Sequence, residues 1–128
     1  MAAKEIIMVD TDILIKVYRG DTIKREQLEK LTGGVAMSIV TVLELMQGVN
    51  SQRKLFQLYR QLKAFQVIHL DVRTSELSFK LFKKYSIVQR VRVQDVLVAA
   101  TSVINNCHLF TDDKKDYGFI TELSFYKP

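Results

Sequence analysis

Two carboxylates interrupt the apolar run "IIMVDTDILI", residues 6–15: Asp10 and Asp12, separated by Thr11. Burying an unpaired carboxylate is costly, so a D-x-D step in such a run calls for a partner. Three chemistries use it. An Asp can cap the helix that follows. Asp10 can attack phosphate as a nucleophile, with Asp12 as the acid. Or the pair can contribute oxygen ligands to a hard cation. Three further acids bear on the choice: Glu44 in "SIVTVLELMQG", Asp95 in "QDVLVAATSVI" and Asp113 in "LFTDDKKD".

Periodicity and turn residues indicate the elements that carry these acids. "KEIIMV" reads as a short buried strand, followed by a helix through "DILIKVYRG" that ends at Gly20. "DTIKREQLEKLTGG" is a second helix, with Asp21 or Thr22 as N-cap and Gly33 or Gly34 closing it. "VAMSI" is a strand. "TVLELMQGV" begins a helix in which Thr41-x-x-Glu44 has capping-box spacing. Leu55, Leu58, Tyr59, Leu62 and Phe65 keep helical spacing between Ser51 and Phe65. "QVIHL" is a strand, and Leu77, Leu81 and Tyr85 mark another amphipathic helix. "DVLVAATSVI", apolar nearly all round, is a buried helix. "CHLFT" is a strand, "DDKKDYGFI" a turn with a short helical piece, and "LSFYK" a last strand. Strands alternating with helices imply an α/β domain with a mainly parallel sheet and right-handed crossovers.

In such sheets ligands bind beyond the carboxyl ends of the strands. Asp10 ends the first strand, Glu44 lies one turn into the helix after the second, and Asp113 follows "CHLFT". Asp95 opens the helix that runs back to "CHLFT", so it starts at the same edge. Each acid has a local reading as a cap or turn residue. Independent caps have no reason to gather at one edge, however. Like charges brought together raise their energy unless a cation is present. Oxygen-only ligands favour Mg²⁺ or Mn²⁺, and the chemistry offered is metal-assisted hydrolysis by an activated water. No Cys or His arrangement competes: His69 and His108 fall in strands as core or surface residues. No glycine-rich phosphate loop is present.

The bulk composition narrows the classes. A chain of 128 residues with 48% apolar content fits one domain over residues 1–128 that needs no disulfide. Cys107 is the single cysteine and reads as a small core residue. No signal-peptide pattern and no apolar run of the roughly 20 residues needed to span a bilayer occur, so a soluble, cytoplasmic protein with no membrane partner is expected. The net charge is +5, and from Arg53 to Arg92 Lys and Arg outnumber acids ten to two. Such a face is either solvated helix surface or a surface for a polyanion.

Nearly the whole chain resembles a PIN-domain ribonuclease of the kind that forms the toxin half of a VapBC-type toxin–antitoxin pair. "VDTDILI" is similar to the family's first acidic motif. "SIVTVLELMQG" is similar to its second, with Ser38, Thr41, Glu44 and Gly48 in place. "DVLVAATSVINNCHLFTDDKKDYGFITELSFYKP" is similar to the third acid, the buried helix, the T-x-N/D turn and the final strand. The order and spacing of these motifs carry the resemblance. It implies a PIN-like three-layer fold, with a mainly parallel central sheet of about five strands flanked by helices. It implies a Mg²⁺- or Mn²⁺-dependent endoribonuclease with Asp10, Glu44, Asp95 and Asp113 as catalytic acids. Asp10, Asp95 and Asp113 would ligate metal. Thr111, Asp116, Thr11, Ser38 and Asp12 would support them, with Asp113 or Asp116 as the fourth acid. Relatives commonly carry Asn at the place of Asp113, and Asp112 makes this turn more acidic than theirs. The implied partners are RNA as substrate, a small antitoxin inserting a helix into a groove near the acids, and a second copy in a homodimer. A groove between the first two helices and the helix from Ser51 suits the antitoxin.

Three alternatives stay open. A haloacid-dehalogenase-like phosphatase would use Asp10 as nucleophile and Asp12 as acid, but it leaves Glu44 and Asp95 without a role. A non-catalytic PIN-like RNA-binding module would keep the fold without the reaction. A flap-type DNA nuclease would ordinarily need a longer chain.

Overall fold

The computed structural model describes residues 5–31 and 34–128. Its strands are β1 (Ile6–Val9), β2 (Val35–Ser38), β3 (Gln66–Ile68) and β4 (Cys107–Phe110), all parallel, in the order β3-β2-β1-β4. Between and after them run α1 (Thr11–Tyr18), α2 (Thr22–Glu29), α3 (Ile39–Gln47), α4 (Gln52–Leu62), α5 (Val72–Gln89), α6 (Val93–Ile104) and α7 (Lys114–Tyr117). The expected α/β architecture with a parallel sheet between helical layers is present.

Alternation along β1 builds two cores at once. Met8 joins Leu81, Val96, Val98, Ala99 and Leu109 under α5 and α6. Ile7 and Val9 join Ile13, Leu14, Leu45, Leu58 and Phe110 under α1, α3 and α4. Both faces of β1 are covered, which explains its unbroken apolar sequence. Met8 pairs with Ala36 of β2 and Leu109 of β4, so the strand ends are aligned. Residues just past them are delivered to one edge.

The sheet has four strands rather than about five. The segment expected as a last strand makes a single parallel bridge, Phe125 to Leu109. The Leu109 amide donates to Ser124 O, and the Tyr126 amide donates to Leu109 O, each at 2.9 Å. Extending this ladder needs an amide hydrogen from residue 128, which is Pro128. At the other end the Cys107 carbonyl already accepts from Ser102 Oγ at 3.2 Å.

Smaller differences lie in the helices. Asp21 is the N-cap of α2, accepting from the Lys24 amide at 3.0 Å. The helix stops at Glu29, ahead of the glycines, because it fully buries no side chain that would extend it. Gly34 instead enters β2 at φ +134°. Gly33 and Lys4, which entered the sequence readings, lie outside the described residues. His69 falls just past β3, while His108 lies within β4. The expected buried helix is α6, and the amphipathic one is α5.

Candidate active site

Asp10, Thr11, Asp12, Ile15, Glu44, Arg92, Asp95 and Asp113 line one cleft of about 190 Å³ at the carboxyl edge of the sheet. The four acids expected to converge do so. Asp10 follows β1 in the backbone position of an N-cap, yet its side chain makes no capping bond. It turns into the cleft instead, 5% exposed. Thr111 Oγ1 donates to Asp10 Oδ2 at 3.0 Å, with Asp12 at 3.3 Å as a competing acceptor. Burial first, then the charge of Asp12, push the Asp10 carboxyl up to about 7, against the pull of the Thr111 hydrogen bond.

Glu44 reaches the cleft because α3 starts earlier than the capping-box reading requires. Ser38 caps that helix, accepting from the Val40 amide at 3.1 Å. Ser38 is therefore fully buried as a cap rather than a group facing the cleft. Thr41 is also fully buried, and its hydroxyl has no partner among the described residues. Glu44 is thus free of capping and accepts from Thr11 Oγ1 at 3.2 Å. Partial burial raises its carboxyl above the usual range, and Asp95 adds to this.

Asp95 lies in the first turn of α6, where the helix dipole favours an anion; the N-cap is Arg92, not Asp95. Asp113 lines the cleft and also caps α7, accepting from the Asp116 amide at 3.1 Å. Asp116 points to Arg92 Nη2 at 3.2 Å. Its carboxyl is pushed up to about 6 by burial and by Asp113 and Asp95, while Arg92 pulls it down.

Asp12 has a different occupation. Its Oδ1 accepts from the Ile13 amide at 2.9 Å and its Oδ2 from the Asp112 amide at 2.8 Å. It pins the turn after β4 to the start of α1. Asp112 is turned away from the other acids and held by Lys16 at 2.7 Å and Lys24 at 2.9 Å.

Two residues of the site were not anticipated from sequence. The buried Tyr117 hydroxyl lies 3.3 Å from Asp10 Oδ1 and 3.3 Å from Asp95 Oδ1, one proton between two acids. Burial and those acids raise its pKa, so it remains a neutral donor. Its signal was a large polar aromatic directly after Asp116 in an acidic turn. Arg92 donates from Nε and Nη2 to both oxygens of Asp95, at 2.9 and 3.2 Å. A cation at a helix N-terminus opposes the dipole, and that misfit three residues before Asp95 was a readable sign.

The donor set is oxygen only, which by its chemistry fits Mg²⁺ or Mn²⁺. As now arranged, no three acids or other metal-binding side chains among the described residues stand together to grip one ion. Arg92 and Tyr117 engage the Asp95 oxygens, and Thr111 and Tyr117 those of Asp10.

A second concavity, about 310 Å³ and largely apolar, adjoins the acids through Glu44. Ile15, Tyr18, Leu45, Gly48, Val49 and Leu58 help line it. Its walls are α1, α3 and α4; no lining residue comes from α2, contrary to the expectation of a groove beside both of the first helices.

Residues 7–119 match the model of the PIN domain family. The chain is 30% identical over 122 residues to "Ribonuclease VapC1" of Methanocaldococcus jannaschii, covering 91% of this chain and 82% of that protein. Its fold is similar to a chain of a toxin–antitoxin complex from Klebsiella pneumoniae, with TM-score 0.79 and 24% identity, covering 95% of this chain and 99% of that one. VapBC-1 from nontypeable Haemophilus influenzae gives TM-score 0.81 at 21% identity, covering 95% and 97%.

Proposed function

The chain belongs to the PIN domain family, and from that premise we propose that it is an endoribonuclease toxin of a VapBC-like pair, one domain acting in the cytoplasm on RNA. The observation that carries this reading is the gathering of Asp10, Glu44, Asp95 and Asp113 around one cleft. Four acids from distant parts of the chain suit a cation that neutralises a phosphodiester. In this proposal Asp10, Asp95 and Asp113 would hold Mg²⁺ or Mn²⁺, Glu44 would orient the attacking water, and Asp116 would back the set. When bound, the cation would supply charge against the phosphate oxygens.

The chain's own groups have separable tasks in this reading. Thr111 and Tyr117 donate to Asp10 and fix the direction of its carboxylate. Thr11 does the same for Glu44. Asp12 is a strut, since both its oxygens take backbone amides. That occupation leaves the phosphatase alternative without its acid. The groove among α1, α3 and α4 suits an amphipathic antitoxin helix whose end would reach Glu44. A further apolar groove of about 230 Å³, lined by Phe79, Phe82, Val93, Val96 and Leu97, suits a second copy. Among the described residues no helix is long and apolar enough to cross a membrane.

The test is induced expression of wild type, Asp10→Asn and Asp12→Asn, with RNA ends mapped by sequencing. The expected result is site-specific, Mg²⁺- or Mn²⁺-dependent cleavage by wild type, loss in Asp10→Asn, and retention of most activity in Asp12→Asn. Equal loss in both variants would count against the assignment. Metal binding with no cleavage of any RNA would favour the non-catalytic module.

A further inference from the structure

Arg92 is the one basic residue lining the acidic cleft among the described residues. It sits at the N-cap of α6, and its guanidinium makes a two-pronged contact with Asp95. The same Nη2 that meets Asp95 Oδ1 also reaches Asp116 Oδ2, so one group ties α6 to α7 across the site. The Arg92 side chain is 57% exposed, whereas that of Asp95 is 7% exposed. The buried partner is fixed, while the arginine approaches from the cleft mouth with a free path back to solvent. Arginine prefers this forked geometry with carboxylates.

From this geometry we propose that Arg92 is a positioning residue that competes with the divalent cation for Asp95 and sets the concentration at which the cation enters. The inference rests on the proposed function only in taking Asp95 as a cation ligand. Both Asp95 oxygens accept from Arg92, so a cation drawing on Asp95 meets the guanidinium charge and competes with it for those lone pairs. Once displaced, the guanidinium stays tethered at the cleft mouth, three residues from its former partner. Two positive groups seeking the same carboxylate make binding of one weaken binding of the other.

The experiment is calorimetric Mn²⁺ titration of wild type, Arg92→Gln and Arg92→Lys, with Asp10→Asn as the site control. Because the pair is solvent-exposed on one side, the expected gain is modest: Arg92→Gln binds Mn²⁺ roughly three- to tenfold more tightly. Arg92→Lys falls between, since it keeps the charge without the fork. A purely structural Arg92 would give weaker or unchanged binding in Arg92→Gln, which overturns the inference while leaving the nuclease reading intact. No Mn²⁺ binding by wild type or by either Arg92 variant overturns both. If Arg92→Gln does not fold, nitrogen-labelled wild type decides. The Arg92 Nε–H resonance, assigned with Arg92→Lys, is protected in chelator and loses that protection on adding Mg²⁺. Protection that persists at saturating Mg²⁺ overturns the inference.

Discussion

Asp10 sits where burial works against its charge. Its carboxyl is raised from 3.8 to about 7, chiefly by burial and the neighbouring Asp12. A carboxyl raised in the folded state binds its proton more tightly there than in the unfolded chain. Its contribution to stability is complete below 3.8 and is lost as pH rises through about 7. At about pH 8 the folded protein therefore carries a disfavoured charge. Asp10→Asn removes it, and is expected to raise stability by on the order of 2 kcal/mol at about pH 8, with little gain at about pH 4. Thermal melts of wild type and variant in chelator across that range check this. Equal pH slopes for the two would refute it. The same variant is expected to lose cleavage, so stability and activity oppose each other at this residue.

At the scale of elements, α3 shows how a cap frees an acid. With Ser38 taking the N-terminal amide of Val40, Thr41 falls onto the buried face and Glu44 onto the cleft. The Thr41 hydroxyl has no partner among the described residues, and a buried unpaired hydroxyl costs about 1 kcal/mol or more. Thr41→Val keeps the shape and is expected to raise the unfolding midpoint by a few degrees without changing RNA cleavage. A lowered midpoint would show that the hydroxyl is satisfied after all. Alternating strands and helices make the order of elements readable, and the edge rule for parallel sheets brings the four acids together from the sequence alone. The sequence leaves the cap ambiguous because "SIVT" offers two hydroxyls three residues apart, and the fold places Ser38 as the cap. The final strand reads as complete because β-propensity does not capture the register of the ladder, in which the next bond falls on Pro128 and its missing amide hydrogen. The role of Tyr117 depends on a contact 107 residues away that only the assembled edge defines, whereas Arg92, three residues before Asp95 at the start of one helix, is a local feature legible in the sequence.

For the whole molecule, the apolar surface is unevenly spread. Phe79 is 72% exposed, and Phe82, Ile87, Val88 and Val93 are exposed on or beside the same helix. A patch of this kind on a small domain calls for a cover. Phe79→Glu is expected to convert the proposed dimer into a monomer in sedimentation, with the fold retained by circular dichroism; an unchanged dimer mass would place the contact elsewhere, and a monomeric wild type would overturn the proposed dimer. The central position of β1 has a further consequence, concerning the order in which the chain is made. β1 is synthesised first, but its neighbour β4 and the Thr111 and Tyr117 hydroxyls that aim Asp10 lie 101 and 107 residues downstream of that acid. Contacts of that span form late. A nascent chain halted before Cys107 carries Asp10, Glu44 and Asp95 without the strand and donors that bring them together. The cleft is thereby withheld until the chain has been made past Tyr117, so a fragment halted earlier would meet RNA without an assembled site.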